Sequence, residues 1–116
     1  MRIYMAGGYS SMQLLRADAE KLRRLGKDIV VDCTWLTGAY DDTAPIECAS
    51  GDISDIMKSD LVLLYTKTPS TKGGMYVEMG YAMAIGCCVI IVGPYTNIFT
   101  RRFRRVDSID EILTER

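Results

Sequence analysis

Two acidic residues and a tyrosine stand at positions where they could carry out chemistry. Tyr4 precedes Gly7-Gly8, Asp52 is predicted to start a helix, and Glu78 is predicted to lie in the first turn of the helix after Gly73-Gly74. The chain has no histidine, so proton transfer or nucleophilic attack falls to other side chains, including carboxylates and phenols. Taken singly, Tyr4 could be a core aromatic, Asp52 an N-cap and Glu78 a residue favoured by the helix dipole. Their convergence on one crevice favours catalysis.

Strands and helices alternate along the chain. The predicted strands are 2–6, 28–33, 61–65, 87–92 and 103–106, and the predicted helices are 11–25, 52–58, 75–85 and a last one capped by Ser108 and Glu111. The first helix begins with a capping-box pattern at Ser10-Ser11, and a long polar connection covers 34–51. Strands that alternate with crossover helices form a parallel sheet with right-handed connections. The sequence therefore predicts one α/β domain over 1–116, a doubly wound, flavodoxin-like sheet of five parallel strands in the order 2-1-3-4-5 with helices on both faces.

A sheet of this kind binds its ligands beyond the carboxyl ends of its strands, at the switch point between the first and third strands. The loops 7–11 and 66–75 border that point. The first loop lacks the glycine spacing of dinucleotide-binding loops and the lysine of a P-loop. We expect Gly7, Gly8 and Ser10 to meet a substrate through backbone N–H groups and the helix N-terminus, with a plain strand-to-helix turn as the alternative.

Length and charge exclude several functional classes. The 116 residues fit one domain, and 14 Lys+Arg against 15 Asp+Glu leave a net charge of −1. This balance argues against a partner that is a nucleic-acid polymer or a membrane surface. No apolar run is long enough to span a bilayer, and the N-terminus does not resemble a signal peptide, so we expect a cytoplasmic protein.

The four cysteines are predicted to be free thiols, buried in the protein. Cys33, Cys87 and Cys88 lie in apolar runs, Cys48 lies in a loop-like stretch, and no CxxC pair occurs. A zinc site is disfavoured because the chain has neither histidine nor paired thiolates, and we expect no metal or cofactor.

Two further patterns have competing interpretations. The basic segment 101–105 could recognise a phosphate, although Asp107, Asp110 and Glu111 nearby favour a solvated, charge-balanced edge. The stripe of Met75, Met79 and Met83 is expected to pack the core or a dimer interface.

Segments spread over most of the chain carry a resemblance to a known family. They are 3–8 (IYMAGG), 31–36 (VDCTWL), 51–62 (GDISDIMKSDLV) and 73–86 (GGMYVEMGYAMAIG). In this order they resemble nucleoside 2-deoxyribosyltransferase-like proteins, a family that includes the related 2′-deoxynucleoside 5′-monophosphate N-hydrolases. The glycine-Glu-Gly-Ala-Gly helix within 73–86 is the most specific of them.

The resemblance implies roles for individual residues. Glu78 would be the nucleophile that attacks the anomeric carbon, and Asp52 the carboxylate that binds the sugar or handles the proton of the departing base. Tyr4 would stand beside the nucleophile. Ser70, Gly73 and Gly74 would contact the substrate, and Asn97, after the fourth strand, would reach across a homodimer.

The implied activity is cleavage of the N-glycosidic bond of a 2′-deoxynucleoside through a covalent deoxyribosyl-Glu intermediate, followed by transfer to another nucleobase. Two alternatives stay open: a 2′-deoxynucleoside 5′-monophosphate N-hydrolase, and a catalytically silent nucleotide-binding module. The family's transferases place a carboxylate shortly before the nucleophile, whereas this chain has Ser70, Thr71 and Lys72 there. This departure from the family pattern concerns whether the sugar is transferred to a base or to water.

Overall fold

A five-stranded parallel sheet forms the centre of the molecule. The computed structural model describes residues 1–31, 33–37, 45–68 and 73–115. The strands are β1 (Arg2–Ala6), β2 (Val30–Val31), β3 (Leu61–Tyr65), β4 (Cys88–Val92) and β5 (Arg104–Val106). The helices are α1 (Met12–Arg23), α2 (Pro45–Met57), α3 (Gly74–Ala84) and α4 (Asp110–Leu113). The order β2-β1-β3-β4-β5, with parallel pairing throughout, confirms the predicted fold.

Strand β3 shows why the central strands read as unbroken apolar runs. All five of its side chains are buried, because β1 and β4 flank it and helices cover both of its faces. A strand without a solvent-facing side has no position for a polar side chain unless that side chain finds a partner.

The register assigns the two sheet tyrosines to opposite faces. Ile3 pairs with Leu61 and Met5 with Leu63, so alternation places Tyr4 on one face and Tyr65 on the other. Helix α3 lies over the face of Tyr4, since its Glu78 accepts a hydrogen bond from that tyrosine. Helix α1 covers the opposite face through Asp18 and Tyr65.

Helix α2 is longer than predicted. It begins at Pro45 instead of residue 52, so Asp52 lies in the helix interior and the prediction that it starts the helix is wrong. Proline fits the first turn of a helix, where its missing N–H removes no hydrogen bond. Packing against α3 supports the segment despite an internal Gly51, which is unfavourable on local propensity alone.

The first half of the chain holds smaller differences. The predicted strand 28–33 is reduced to Val30–Val31, because the N–H of Ile29 still donates to Gly26 O at 3.2 Å in the preceding turn. Asp32 lies outside the described residues. The capping box at Ser10-Ser11 does not form: a 3-10 turn, Tyr9–Ser11, leads into α1, and Ser11 makes no side-chain capping hydrogen bond.

The C-terminal cap and the basic segment follow the sequence patterns more closely. The backbone N–H of Ser108 donates to the Glu111 carboxylate at 3.3 Å, which is one half of a capping box. The other half does not form, because the N-cap of α4 is Ile109 and no side chain caps this helix. Arg104 pairs with Glu115 and Arg105 with Asp107. These ion pairs support the charge-balanced edge over a phosphate site.

The methionine stripe belongs to the chain's own core. Met75 and Met79 are buried, and the partly buried Met83 packs against the same core, so the stripe faces the interior of the chain. The outward side of α3 instead carries Val77, which is 73% exposed.

The cysteines are free thiols, as predicted, but their burial varies. Cys33 is buried, whereas Cys88 is exposed because it begins β4 at the amino edge of the sheet. Across the described residues, no helix has the length and apolar character that a bilayer span requires.

Candidate active site

Tyr4 and Glu78 form the centre of the site. The Tyr4 hydroxyl donates a hydrogen bond to Glu78 Oε2, joining residues 74 positions apart in sequence. Tyr4 is fully buried on β1, and Glu78 is half-buried on α3. The rigid strand therefore fixes the hydroxyl, and the hydroxyl orients one carboxylate oxygen.

The start of α3 sets the position of Glu78. Gly73 precedes the helix with φ +73°, a left-handed conformation that glycine adopts without strain. The helix begins at Gly74, so Glu78 is its fifth residue and the prediction of a first-turn position is wrong. At that depth the helix N-terminus favours the carboxylate less than it would in the first turn.

Asp52 is the third member of the group. It is half-buried on α2, which packs beside α3, and its charge raises the pKa of both Tyr4 and Glu78. The three side chains singled out from the sequence are therefore close in space. Each comes from a different element: β1, α2 and α3.

Burial dominates the electrostatics of this group. It raises the pKa of Glu78 to about 7, with Asp52 adding to the shift and the hydrogen bond from Tyr4 opposing it. Burial also raises the pKa of Asp52 to about 6, with a smaller contribution from Asp55. Desolvation outweighs any stabilisation of the carboxylate by the helix N-terminus, so Glu78 is harder to ionise than an exposed glutamate. Between pH 6 and 7 the two carboxylates hold about one proton between them.

The phenol stays protonated throughout this range. Burial and the neighbouring Glu78 and Asp52 all raise the pKa of Tyr4. It therefore remains a hydrogen-bond donor to Glu78, the arrangement that stabilises the carboxylate form.

In the glycine turn after β1, packing accounts for the first glycine, Gly7. A Cβ on Gly7 would meet Tyr65 Cβ at 3.3 Å and Leu15 at 3.4 Å, so close packing on the α1 side of the sheet favours glycine there. Gly8 is half-buried and Ser10 is exposed at the start of the 3-10 turn. These two residues border the carboxyl edge of β1 and remain candidates for substrate contact.

The second glycine pair has open space around it. Among the residues that the structure describes, nothing lies within 4 Å of a Cβ built on Gly73 or Gly74, which leaves this backbone open to close approach on the described side. Ser70 lies outside the described residues.

The Asn97 side chain stabilises its own loop. Its Oδ1 accepts hydrogen bonds from the backbone N–H groups of Phe99 and Thr100, each at 2.9 Å. Only its amide NH₂ is left to reach another molecule, which narrows the role that the resemblance implies.

The loops after β3 and β4 are joined at the same edge. Thr66 Oγ1 donates to Pro94 O at 2.6 Å, and the Tyr76 and Thr96 hydroxyls lie 2.6 Å apart. The second contact connects the first turn of α3 to the loop that contains Asn97.

Sequence reasoning missed Asp55 and Thr34. Asp55 Oδ2 accepts hydrogen bonds from Thr34 N at 3.0 Å and Thr34 Oγ1 at 2.8 Å, which fixes the 3-10 turn Thr34–Thr37 against α2. The spacing of Asp52 and Asp55, one helical turn apart, is the signal that could have identified the pair.

A second tyrosine–carboxylate pair was also missed. The Tyr65 hydroxyl donates to Asp18 Oδ2 at 2.7 Å, and Asp18 is only 3% exposed. Burial raises the pKa of both groups. Within the described residues, no three His, Cys, Asp or Glu side chains are grouped as a metal site would need.

Comparison with known proteins supports the fold. No protein-family model and no curated protein matches the chain. A solved structure, described as a conserved protein from Enterococcus faecalis, superimposes with a TM-score of 0.73 and 22% sequence identity, covering 99% of this chain and 95% of the other. Similarity at this identity establishes a shared flavodoxin-like α/β architecture and says nothing of activity.

Proposed function

We propose that the protein cleaves the N-glycosidic bond of 2′-deoxynucleosides and transfers the deoxyribosyl group to a second nucleobase. The hydrogen bond from Tyr4 to Glu78, with Asp52 beside it, is the observation that carries the proposal. An oriented carboxylate and a second carboxylate able to hold a proton are the two groups that a retaining glycosyl displacement uses. The sequence resemblance supplies the sugar and the bond.

In the first step, a Glu78 oxygen attacks C1′ of the deoxyribose. The C1′–N bond breaks, its electron pair passes to the base, and Asp52 delivers a proton to the departing base nitrogen. The products are a neutral base and a deoxyribosyl ester of Glu78. Tyr4 holds the attacking carboxylate in its orientation.

In the second step, a nitrogen of another base attacks C1′ from the opposite side. The ester C–O bond breaks, the Glu78 carboxylate is regenerated, and Asp52 recovers the proton that the incoming nitrogen loses. Two displacements return the sugar to its original anomeric configuration.

The raised carboxyl pKa values set the pH range of this division of work. Asp52 must be protonated and Glu78 ionised when the first step begins. Because the pKa of Glu78 is about 7 and that of Asp52 about 6, this is the less populated one-proton form, and it is most abundant between pH 6 and 7. The rate should therefore rise with pH up to about 6 and fall above about 7.

Hydrolysis is the second candidate, favoured by one observation. The segment 66–74 preceding the nucleophile's helix contains no carboxylate that could handle an acceptor base. If water replaces the base in the second step, the same ester yields free 2-deoxyribose, or its 5-phosphate when the substrate is a monophosphate.

The test is incubation with a panel of 2′-deoxynucleosides and their 5′-monophosphates, with and without a free acceptor base. A new nucleoside formed only with the acceptor supports transfer, and free sugar in both arms supports hydrolysis. Glu20→Gln, on the exposed face of α1, is the matched control for Glu78→Gln. Binding of nucleotides without any turnover would instead support the silent module.

The same proposal includes a homodimer. The exposed residues of α3 are Gly74, Val77, Gly80 and Ala84, none of them charged, and Ile98 beside Asn97 is 74% exposed. An uncharged helix face flanked by an apolar loop is typical of a protein interface. Twofold pairing through this face would bring the Asn97 amide of one copy towards the crevice of the other.

Sedimentation at micromolar concentration tests the dimer. The wild-type chain should sediment as a dimer and Val77→Lys as a monomer with reduced activity. A monomeric wild-type chain with full activity would contradict the shared site. We place the reaction in the cytoplasm, where the four free thiols are compatible with a reducing environment.

A further inference from the structure

Asp55 joins two parts of the molecule that the proposed mechanism leaves unconnected. Its Oδ2 accepts from both the backbone N–H and the hydroxyl of Thr34, at 3.0 and 2.8 Å. One carboxylate oxygen therefore fixes the start of the 3-10 turn Thr34–Thr37 on the side of α2.

The 3-10 turn is also attached to β1. The Trp35 indole N–H donates to Met5 O at 2.9 Å, and the Trp35 ring meets Tyr9 edge-on with 6.1 Å between the ring centroids. Met5 directly follows Tyr4. The clasp between Asp55 and Thr34 thus links the helix that bears Asp52 to the strand that bears Tyr4.

Asp55 is also a close electrostatic neighbour of Asp52. Residues three apart on a helix lie on the same side, with Cβ atoms about 5–6 Å apart. The other titratable groups that act on the Asp52 region are Tyr4 from β1 and Glu78 from α3. Because Thr34 holds the Asp55 carboxylate, its charge cannot move freely away from Asp52.

We propose that Asp55 is a positioning residue for Asp52: clasped to Thr34, it keeps a second negative charge one helical turn from the proposed proton donor and holds that donor's helix against β1. The inference rests on the proposed function only for the role of Asp52. A like charge at this distance disfavours ionisation of Asp52, so it helps this residue to retain its proton.

The test is a direct titration of Asp52 by carbon-13 NMR of labelled aspartate carboxyl groups, with Asp52→Asn identifying the signal. Asp55→Asn keeps an acceptor for Thr34 and removes the charge. It should lower the pKa of Asp52 by about half a unit. In the enzyme assay, kcat at pH 8 should fall about threefold with KM unchanged, and the rate at pH 5 should be unaltered.

Asp60→Asn is the matched control. Asp60 also accepts from a backbone N–H, that of Arg2 at 2.8 Å, but it lies at the amino edge of the sheet. It should leave the titration of Asp52 unmoved. Thr34→Val keeps the Asp55 charge but loosens the clasp, so it should shift the titration in the same direction by less.

An Asp52 titration that is the same in wild type and Asp55→Asn overturns the inference, as does an equal shift in Asp60→Asn. If Asp55→Asn does not fold, an unshifted titration in Thr34→Val overturns it. Because NMR reads the carboxyl group without turnover, an inactive protein whose titration shifts refutes the proposed function and leaves the inference standing. An active protein with no shift refutes the inference alone.

Discussion

On each face of the sheet, a buried tyrosine donates a hydrogen bond to a carboxylate on the helix that covers it. Tyr4 on β1 meets Glu78 on α3, and Tyr65 on β3 meets Asp18 on α1. Both tyrosines are fully buried. The surroundings of the two carboxylates differ. Asp18 is enclosed by α1 and the sheet, and its charged neighbours are of mixed sign: Lys21, Lys67 and Asp110. Glu78 is half-buried, and its charged neighbour Asp52 is a second carboxylate.

Under the proposed function, Tyr65 and Asp18 hold the fold, whereas Tyr4 and Glu78 take part in the reaction. An enclosed carboxylate with one donor can only be satisfied, and it anchors α1 at the level of the Gly7 turn. A carboxylate reachable from solvent, with a neighbour that exchanges protons near pH 6, can attack and be regenerated. Substitutions of Glu78 should therefore lower the rate, and substitutions of the Tyr65–Asp18 pair should lower the free energy of unfolding.

The largest effect is expected from Glu78→Gln. Removing the proposed covalent nucleophile should lower kcat at least about 10³-fold, because an uncharged amide cannot form the glycosyl ester. Mass spectrometry of wild-type protein quenched during turnover should show a deoxyribosyl adduct on the peptide containing Glu78. Asp18→Asn, the equivalent change on the other face, should retain activity. Equal losses in both variants would erase the proposed distinction.

Asp52→Asn should reduce kcat about 10²-fold, the range of general acid catalysis. Asn cannot donate a proton to the departing base, so the fall in rate at alkaline pH should disappear. The rise that follows ionisation of Glu78 should persist and level off at alkaline pH. The measurement is the pH dependence of kcat from pH 5 to 9. Unchanged rates across this range would reduce Asp52 to a sugar ligand or a structural residue.

Tyr65→Phe should act on stability instead of turnover. It leaves the buried Asp18 carboxylate without its donor, which costs about 1–3 kcal/mol of the free energy of unfolding. Urea denaturation gives this quantity, and kcat measured well below the transition should match wild type. Loss of kcat without loss of stability would mean that the α1 face takes part in the reaction.

The smallest effect is a pH-dependent gain of stability in Glu78→Gln. The pKa of Glu78 is about 7 in the folded chain against an ordinary 4.5, so the folded state binds more protons than the unfolded state between these values. The free energy of unfolding therefore falls as pH rises through this window, and the variant escapes that loss. At pH 8 it should be more stable by on the order of 1 kcal/mol, about 4 °C in Tm. At pH 4 the difference should vanish.

The strand order and the meeting of Tyr4, Asp52 and Glu78 could be predicted because both follow from alternating strand and helix signals. The start of α2 could not, since Gly51 and small polar residues obscure a helix that packing against α3 stabilises. Asp18 falls between Leu15 and Leu22 on the buried side of α1, so the helical spacing was enough to indicate its burial. Its partner could not be inferred, because nothing local indicates which strand residue lies opposite.

The 74 positions that separate Tyr4 from Glu78 also govern when the site comes into existence during synthesis. β1 leaves the ribosome early, but its tyrosine has no carboxylate to orient until β3 has paired beside it and α3 has closed over them. Closing so long a loop is a late and slow event in the assembly of a chain. A nascent or truncated chain that stops before α3 would therefore hold a glycine turn and a tyrosine without the carboxylate that the tyrosine orients in the folded molecule.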